Sequence, residues 1–139
     1  KKFLISMTET TPNKIFISIK SGIIATAIMS LLIFLAPYIG FPRIPIWEII
    51  ANILKMPIIF GWIIHFGLGI FFAFIYISFF KNWLPGNWAI KGMLFGLLVF
   101  FAAQTASLFG TGANGFIAVL GSLIGHLVYG LVLGNLTKK

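Results

Sequence analysis

Four long apolar runs, joined by short stretches rich in polar and turn-forming residues, account for most of the chain. The runs cover residues 17–39, 58–80, 90–110 and 115–136, and any charged residue in them lies near an end. A helix of about 20 apolar residues crosses the hydrocarbon core of a bilayer. Backbone polar groups in lipid must bond within a helix or a closed barrel, and the runs lack the alternation of barrel strands. Each run therefore predicts a transmembrane helix.

Proline and glycine residues support the ends of these helices. Residues 11–13, Thr-Pro-Asn, are typical of a helix start with proline in the first turn. Pro37 and residues 40–42, Gly-Phe-Pro, end the first run, because proline cannot continue a helical hydrogen-bond ladder. Residues 84–87, Leu-Pro-Gly-Asn, predict a turn after the second run, and the glycine-rich residues 110–115 predict a tight turn after the third.

Between the first two runs, residues 45–55 have a helical rather than a uniformly apolar pattern. One face carries Ile46, Ile49, Ile50 and Ile53, and another carries Glu48, Asn52 and Lys55. This spacing predicts a short amphipathic helix that lies on the outer membrane surface. An ordinary structured loop and a helix that docks a partner protein are the alternatives.

The overall composition narrows the class of protein. Hydrophobic residues make up 60% of the chain and charged residues 9%, with a mean hydropathy of +1.08. Soluble domains are ordinarily about 45–50% apolar and about 25% charged. We therefore expect residues 1–139 to form a single integral membrane domain, an all-α polytopic four-helix bundle, rather than a soluble enzyme.

The chain contains few residues that carry catalytic chemistry. It has no cysteine and no aspartate, and its two carboxylate side chains, Glu9 and Glu48, lie on opposite sides of the first run. Thiolate metal sites and paired-carboxylate catalysis both need residues that are missing here. We expect a protein that is not an enzyme and that holds no metal ion.

Basic residues predict the orientation of the chain in the membrane. Eight of them lie on one predicted side and two, Arg43 and Lys55, on the other; the eight are Lys1, Lys2, Lys14, Lys20, Lys81, Lys91, Lys138 and Lys139. Cytoplasmic loops carry the excess of lysine and arginine. The bias predicts a multi-pass protein of the bacterial inner (cytoplasmic) membrane with both termini in the cytoplasm. The net charge of +8 indicates contact with anionic lipid and no nucleic-acid partner.

A repeated pattern links the two halves of the chain. The second run places glycine, His65 and glycine at four-residue steps, and the fourth run places serine, His126 and glycine at the same steps. The first and third runs both begin with Ile-Lys followed by a small residue. The pattern predicts two tandem helical hairpins in parallel orientation, related by an axis along the membrane normal.

His65 and His126 are the readily titratable residues inside the runs. The simplest hypothesis is structural: each imidazole bonds across the bundle to a polar side chain or a backbone carbonyl, because buried polar groups in lipid need partners. The intramembrane polar candidates are Gln104, Thr105, Ser107 and Ser122. One alternative is that both histidines ligate a haem b, with glycine leaving space for the macrocycle. A proton relay or a metal pair is a further alternative.

Glycine pairs at four-residue spacing predict close helix packing. They are Gly92 and Gly96, Gly121 and Gly125, and Gly130 and Gly134. Gly121 and Gly130 lie about half a turn apart around their helix, because nine residues correspond to about 900° at 3.6 residues per turn. One side is therefore expected to serve the bundle and the other an outside helix, unless both are used within the chain.

Three segments resemble a family of small bacterial four-helix membrane proteins of unknown function. They are residues 61–70, residues 84–86 and residues 125–134, which include a Gly-Trp-x-x-His second helix and a Gly-His-x-x-Tyr-Gly last helix. The resemblance extends over residues 17–136 and implies the four-helix fold. It implies no activity, cofactor or catalytic residue.

These features lead to three functional hypotheses. The first is a non-catalytic accessory or assembly subunit that packs against a larger inner-membrane complex, such as a respiratory one, or against a second copy of itself. The second is a haem b electron carrier that uses His65 and His126. The third is a small-solute channel or transporter, which the lack of intramembrane acids disfavours.

Overall fold

Helices make up the regular structure of the residues that the computed structural model describes, which are 2–110 and 115–138, with side chains from residue 13 onward. The helices are α1 (Lys2–Leu35), α2 (Ile46–Leu54), α3 (Ile58–Ile75), α4 (Trp88–Gly110) and α5 (Phe116–Leu136). Four segments are long and apolar enough to cross a membrane: Asn13–Ile39, Ile58–Trp83, Trp88–Gly110 and Phe116–Leu136. The predicted all-α bundle is confirmed.

Local chemistry accounts for several of the helix ends. A 3-10 turn, Ala36–Ile39, follows α1 and stops at Gly40, whose φ of 94° suits a residue without a Cβ. The second span continues beyond α3 through a π-helical segment, Tyr76–Phe80, and a last turn, Lys81–Trp83. Asn87 then caps α4, because its side-chain oxygen accepts hydrogen bonds from the backbone of the first turn at 3.0 Å.

Two predicted ends differ or cannot be compared. The helix start predicted at residues 11–13 is wrong, because α1 begins at Lys2 and continues through Pro12. Proline costs that turn one backbone hydrogen bond but does not stop the helix here. The predicted tight turn lies largely at residues 111–114, outside the described residues.

The four spans pack in the order α4, α5, α1 and α3, and α2 packs on α3. Two glycine contacts bring the backbones of each hairpin together. Gly22 of α1 packs on the backbone of Gly69 in α3, and Gly92 of α4 and Gly130 of α5 pack on each other. A Cβ on any of these glycines would clash, although on Gly69 it would meet the side chain of Thr26. Each pair of helices is therefore in close contact, and the parallel relation of the two hairpins stays a prediction.

Both glycine-bearing sides of α5 are used within the chain. Gly130 and Gly134 face the backbone of α4, whereas Gly121 faces the ring of Phe41 and Gly125 faces Met29 of α1. The expectation that one side is left for an outside helix is therefore wrong. The reason is that α5 is central in the bundle and needs a close-packing surface for each of two neighbours.

The amphipathic segment forms α2, as predicted, and is held against α3. The rings of Trp47 and Trp62 stack with centroids 4.0 Å apart. Gly61 has no room for a Cβ, because the carbonyl oxygen of Trp47 occupies that space. Ala51 is buried in the same contact. We call the end of the bundle that carries α2 the α2 end, and the end that carries Lys81 and Lys138 the terminal end.

Candidate functional site

A cavity of about 350 Å³ lies between the four spans, toward the α2 end of the bundle. All four spans and α2 contribute to its walls, and the four isoleucines of the apolar face of α2 are among the lining residues. The amphipathic pattern of α2 therefore has a specific cause, because its apolar face covers a cavity of the same chain. Most of the wall is apolar, and the polar side chains come from α1, α3, α4 and α5.

His65 faces this cavity from α3. It is 7% exposed, and its Nε2 lies 3.0 Å from the hydroxyl oxygen of Ser30 in α1. The rings of Trp47 and Trp62 surround it, each with its centroid 6.4 Å away. A hydrogen bond to a neighbouring helix and aromatic packing together fix this imidazole at the cavity wall.

His126 faces the same cavity from α5. Its Nδ1 lies 2.7 Å from the carbonyl oxygen of Ser122, one turn earlier. Because a carbonyl oxygen only accepts, Nδ1 is the donor, and Nε2 of the neutral ring is an acceptor. Nε2 has no hydrogen-bond partner among the described residues. Gln104 of α4 donates to the Ser122 hydroxyl at 3.0 Å, which joins α4 to this polar group.

Two further polar residues in the wall come from α1 and α5. Tyr129 donates its hydroxyl hydrogen to the carbonyl oxygen of Gly69 at 2.6 Å. Thr26 is 1% exposed, and its hydroxyl oxygen has no hydrogen-bond partner among the described residues. A Cβ on Gly69 would lie 1.8 Å from this oxygen, so the hydroxyl is packed in the contact between α1 and α3 and is not presented to the open space of the cavity.

The predicted polar partners are only partly brought together. Gln104, Ser107 and Ser122 line the cavity with the two histidines, whereas Thr105 bonds to the carbonyl of Phe101 in its own helix. Thr105 is exposed, because it lies on another face of α4.

Sequence reasoning missed the polar residues of α1. Gly22, Thr26 and Ser30 follow one another at four-residue steps, the same spacing that identified the histidine stripes. Residues four apart share a helix face, so this stripe on the first run identifies the surface that meets His65.

Among the described residues, the cavity wall contains no Lys, Arg, Asp or Glu. Among residues 13–110 and 115–138, moreover, no three His, Cys, Asp or Glu residues are close enough together to hold a metal ion. The site therefore offers neutral hydrogen-bonding groups in an apolar enclosure, which favours binding of a neutral molecule.

The comparisons with known proteins identify a family but no activity. A family model described as a family of unknown function (DUF6789) matches residues 12–139. No curated protein and no solved structure matches the chain.

Proposed function

The chain belongs to DUF6789, a family of unknown function, and we propose that this membrane protein binds a small neutral molecule in the cavity between its spans. The observation that carries the proposal is the cavity itself, with two histidines from different spans in its apolar wall. Its volume of about 350 Å³ is within the range of ordinary small-molecule sites, about 300–1,000 Å³.

The polar groups of the wall define the chemistry of the ligand. Nε2 of His126 accepts a hydrogen bond, because Nδ1 of the same ring is the donor to Ser122. A hydroxyl group on an otherwise apolar molecule donates this bond, whereas a carbonyl group has no hydrogen to donate. A charged ligand has no counter-ion in the wall, and burying an unpaired charge is costly. The ligand class is therefore a neutral molecule with an apolar body and a hydroxyl group.

The packing of the spans supports entry from the lipid phase. α3 and α4 are not among the helix pairs in extensive contact. The second span reaches α4 through its π-helical segment at the terminal end, where Tyr76 and Phe80 contact Phe95. We propose that lipid-soluble molecules enter between α3 and α4, on the side of α2 that faces the terminal end.

Thermal unfolding in detergent with three probes of equal chain length tests the ligand class. The probes are 1-decanol, decylamine and decanoate. We expect decanol to raise the melting temperature of the wild type more than the two charged probes, because a ligand that binds the folded state stabilises it. Ala118→Phe places a ring in the cavity wall, and we expect it to abolish the decanol effect.

Ala27→Phe is the matched control for Ala118→Phe, because Ala27 is exposed on α1 and is not a lining residue. Any shift in melting temperature that the probes cause through the detergent micelle is the same in Ala27→Phe and Ala118→Phe, so comparison of the two isolates the effect of the cavity. Equal shifts in wild type and Ala118→Phe, or a preference for a charged probe, would contradict the proposal.

A haem b carrier is the second candidate, since His65 and His126 come from different helices and line one cavity. Two features weaken it. Neighbouring elements occupy the space beside the glycines at four-residue steps from the histidines. That space is therefore not available for a macrocycle. Ligation through Nε2 of His65 would also break its bond to Ser30. An absorption spectrum of dithionite-reduced protein, expressed with ample haem, tests it: a colourless folded preparation eliminates the carrier.

An accessory-subunit role has weaker support than ligand binding. The two surfaces that suggested a partner are engaged within the chain, since α2 covers the cavity and both glycine sides of α5 face neighbouring segments.

We retain the proposal of a bacterial cytoplasmic membrane with both termini inside. In support, Lys81, Lys91 and Lys138 gather at the terminal end, opposite Arg43 and Lys55.

A further inference from the structure

A second, smaller cavity lies at the terminal end of the bundle. Its volume is about 120 Å³, and lysines from three separate parts of the chain line it. Lys81 comes from the end of the second span, Lys91 from the first turn of α4 and Lys138 from the residues after α5. Asn82 and Trp88 also lie in its wall.

The lysines are held in place by contacts within the chain. Nζ of Lys91 donates to the backbone carbonyl oxygen of Lys81 at 2.9 Å. Nζ of Lys138 donates to the side-chain oxygen of Asn135 at 3.0 Å and lies 5.4 Å from the ring centre of Trp88. An ammonium group has three donors, so the bonds shown leave donors on Lys91 and Lys138 for an anion.

Among residues 13–110 and 115–138, no carboxylate side chain lies near Lys91 or Lys138. Glu48, the one carboxylate among residues 13–110 and 115–138, lies at the α2 end and pairs with Arg43. The ammonium groups of Lys91 and Lys138 make the potential of this space positive, which favours an anion there. Lysine binds phosphate groups as a compact point charge.

The surroundings of the cavity indicate where the anion comes from. Phe79 is 67% exposed, Trp83 is 76% exposed and Ile90 is 49% exposed at the same end of the bundle. Tryptophan is enriched at the level of lipid head groups, and exposed apolar side chains there contact acyl chains. Basic pockets between transmembrane helices bind the head groups of anionic lipids.

We propose that the cavity of Lys81, Lys91 and Lys138 binds the phosphate of an anionic phospholipid. The site lies at the opposite end of the bundle from the histidine-lined cavity and does not depend on the function proposed for that cavity. Its ligand is a structural or regulatory lipid that fixes the ends of the second, third and fourth spans relative to one another.

Native mass spectrometry in detergent with added phosphatidylglycerol or phosphatidylcholine tests the proposal. We expect the wild type to retain phosphatidylglycerol in preference to phosphatidylcholine. We expect Lys91→Gln and Lys138→Gln each to weaken phosphatidylglycerol binding about fivefold, the equivalent of roughly 1 kcal/mol per basic residue near an anionic surface. Lys55→Gln is the matched control, because this exposed lysine lies at the α2 end.

The melting temperature of each variant shows that a loss of lipid does not reflect unfolding. Adding inorganic phosphate shows whether the site binds free phosphate or the phosphate of a lipid head group. Competition between phosphate and phosphatidylglycerol supports recognition of the lipid phosphate. Binding of inorganic phosphate without phosphatidylglycerol would overturn the assignment to a lipid. Equal retention of both lipids, or equal losses in Lys55→Gln and Lys91→Gln, would overturn the site itself.

Discussion

Tyr129 of α5 and Gly69 of α3 are joined by a 2.6 Å hydrogen bond from the tyrosine hydroxyl to the glycine carbonyl oxygen. The bond connects the second span to the fourth, which belong to different hairpins. Both residues line the histidine cavity, so the bond fixes the distance between the two hairpins at this cavity. In an apolar interior the alternative to this bond is an unpaired phenol group, which is costly.

Tyr129→Phe removes this bond and keeps the ring. We expect the variant to lose about 0.6–2 kcal/mol of stability, the range from hydrogen bonds measured between membrane helices to the cost of a buried unpaired group. Thermal unfolding in detergent measures the loss. Tyr38→Phe is the control, because Tyr38 is 80% exposed, and equal shifts in both variants would contradict the assigned role.

Gly130→Ala tests the close contact between α4 and α5. A Cβ on Gly130 would lie 2.1 Å from the carbonyl oxygen of Gly92, so the two helices must separate. We expect a loss of about 1–3 kcal/mol, as for other overpacked interiors. Gly67→Ala is the matched control, because a Cβ there meets nothing within 4 Å, and alanine is the better helix former by about 1 kcal/mol. A Gly67→Ala variant as unstable as Gly130→Ala would show that the contact is not the cause.

The spans and their packing surfaces were accessible from the sequence because both depend on local patterns. Apolar runs of the right length predict the four spans, and four-residue spacing identifies the glycine contacts. The same spacing places His65 and His126 each in a stripe of small residues on one face of its helix. These inferences need only the helical period and the preference of lipid for apolar side chains.

The contacts between helices and the cavity could not be predicted from the sequence, because they depend on which helix faces meet. The partner of His65 is Ser30, whose four-residue spacing from Thr26 marks a packing face of α1 but does not show which helix that face meets. The face of Gly121 meets Phe41, a residue of the connection between α1 and α2 that no periodic pattern identifies. The cavity beneath α2 arises from the relative positions of five helices, which local propensities do not determine.

Gly61→Ala tests whether α2 is held as a cover over the cavity. A Cβ on Gly61 would occupy the position of the Trp47 carbonyl oxygen, so α2 must move away from α3. We expect backbone hydrogens of Ile46–Leu54 to exchange faster in this variant, because a detached short helix opens more readily. Hydrogen exchange with mass spectrometry measures the rate, with Gly67→Ala as the control. Unchanged exchange in Gly61→Ala would show that the contact does not retain α2.

Single cysteines test the orientation, and the native chain contains no cysteine that would interfere. Asn52 and Asn82 are both exposed and lie at opposite ends of the bundle. Because basic residues accumulate on the cytoplasmic side, we expect Asn52→Cys in intact cells to react with an impermeant maleimide. We expect Asn82→Cys to react only after the membrane is opened. The reverse labelling would contradict the proposed orientation.

The central claim is that the histidine-lined cavity holds a small neutral molecule, and native mass spectrometry of protein extracted gently from its expression membranes tests it most directly. We predict a small-molecule adduct on the wild type and on Ala27→Phe, and no such adduct on Ala118→Phe. A wild type that carries no adduct, or an adduct that persists equally in Ala118→Phe, would contradict the claim.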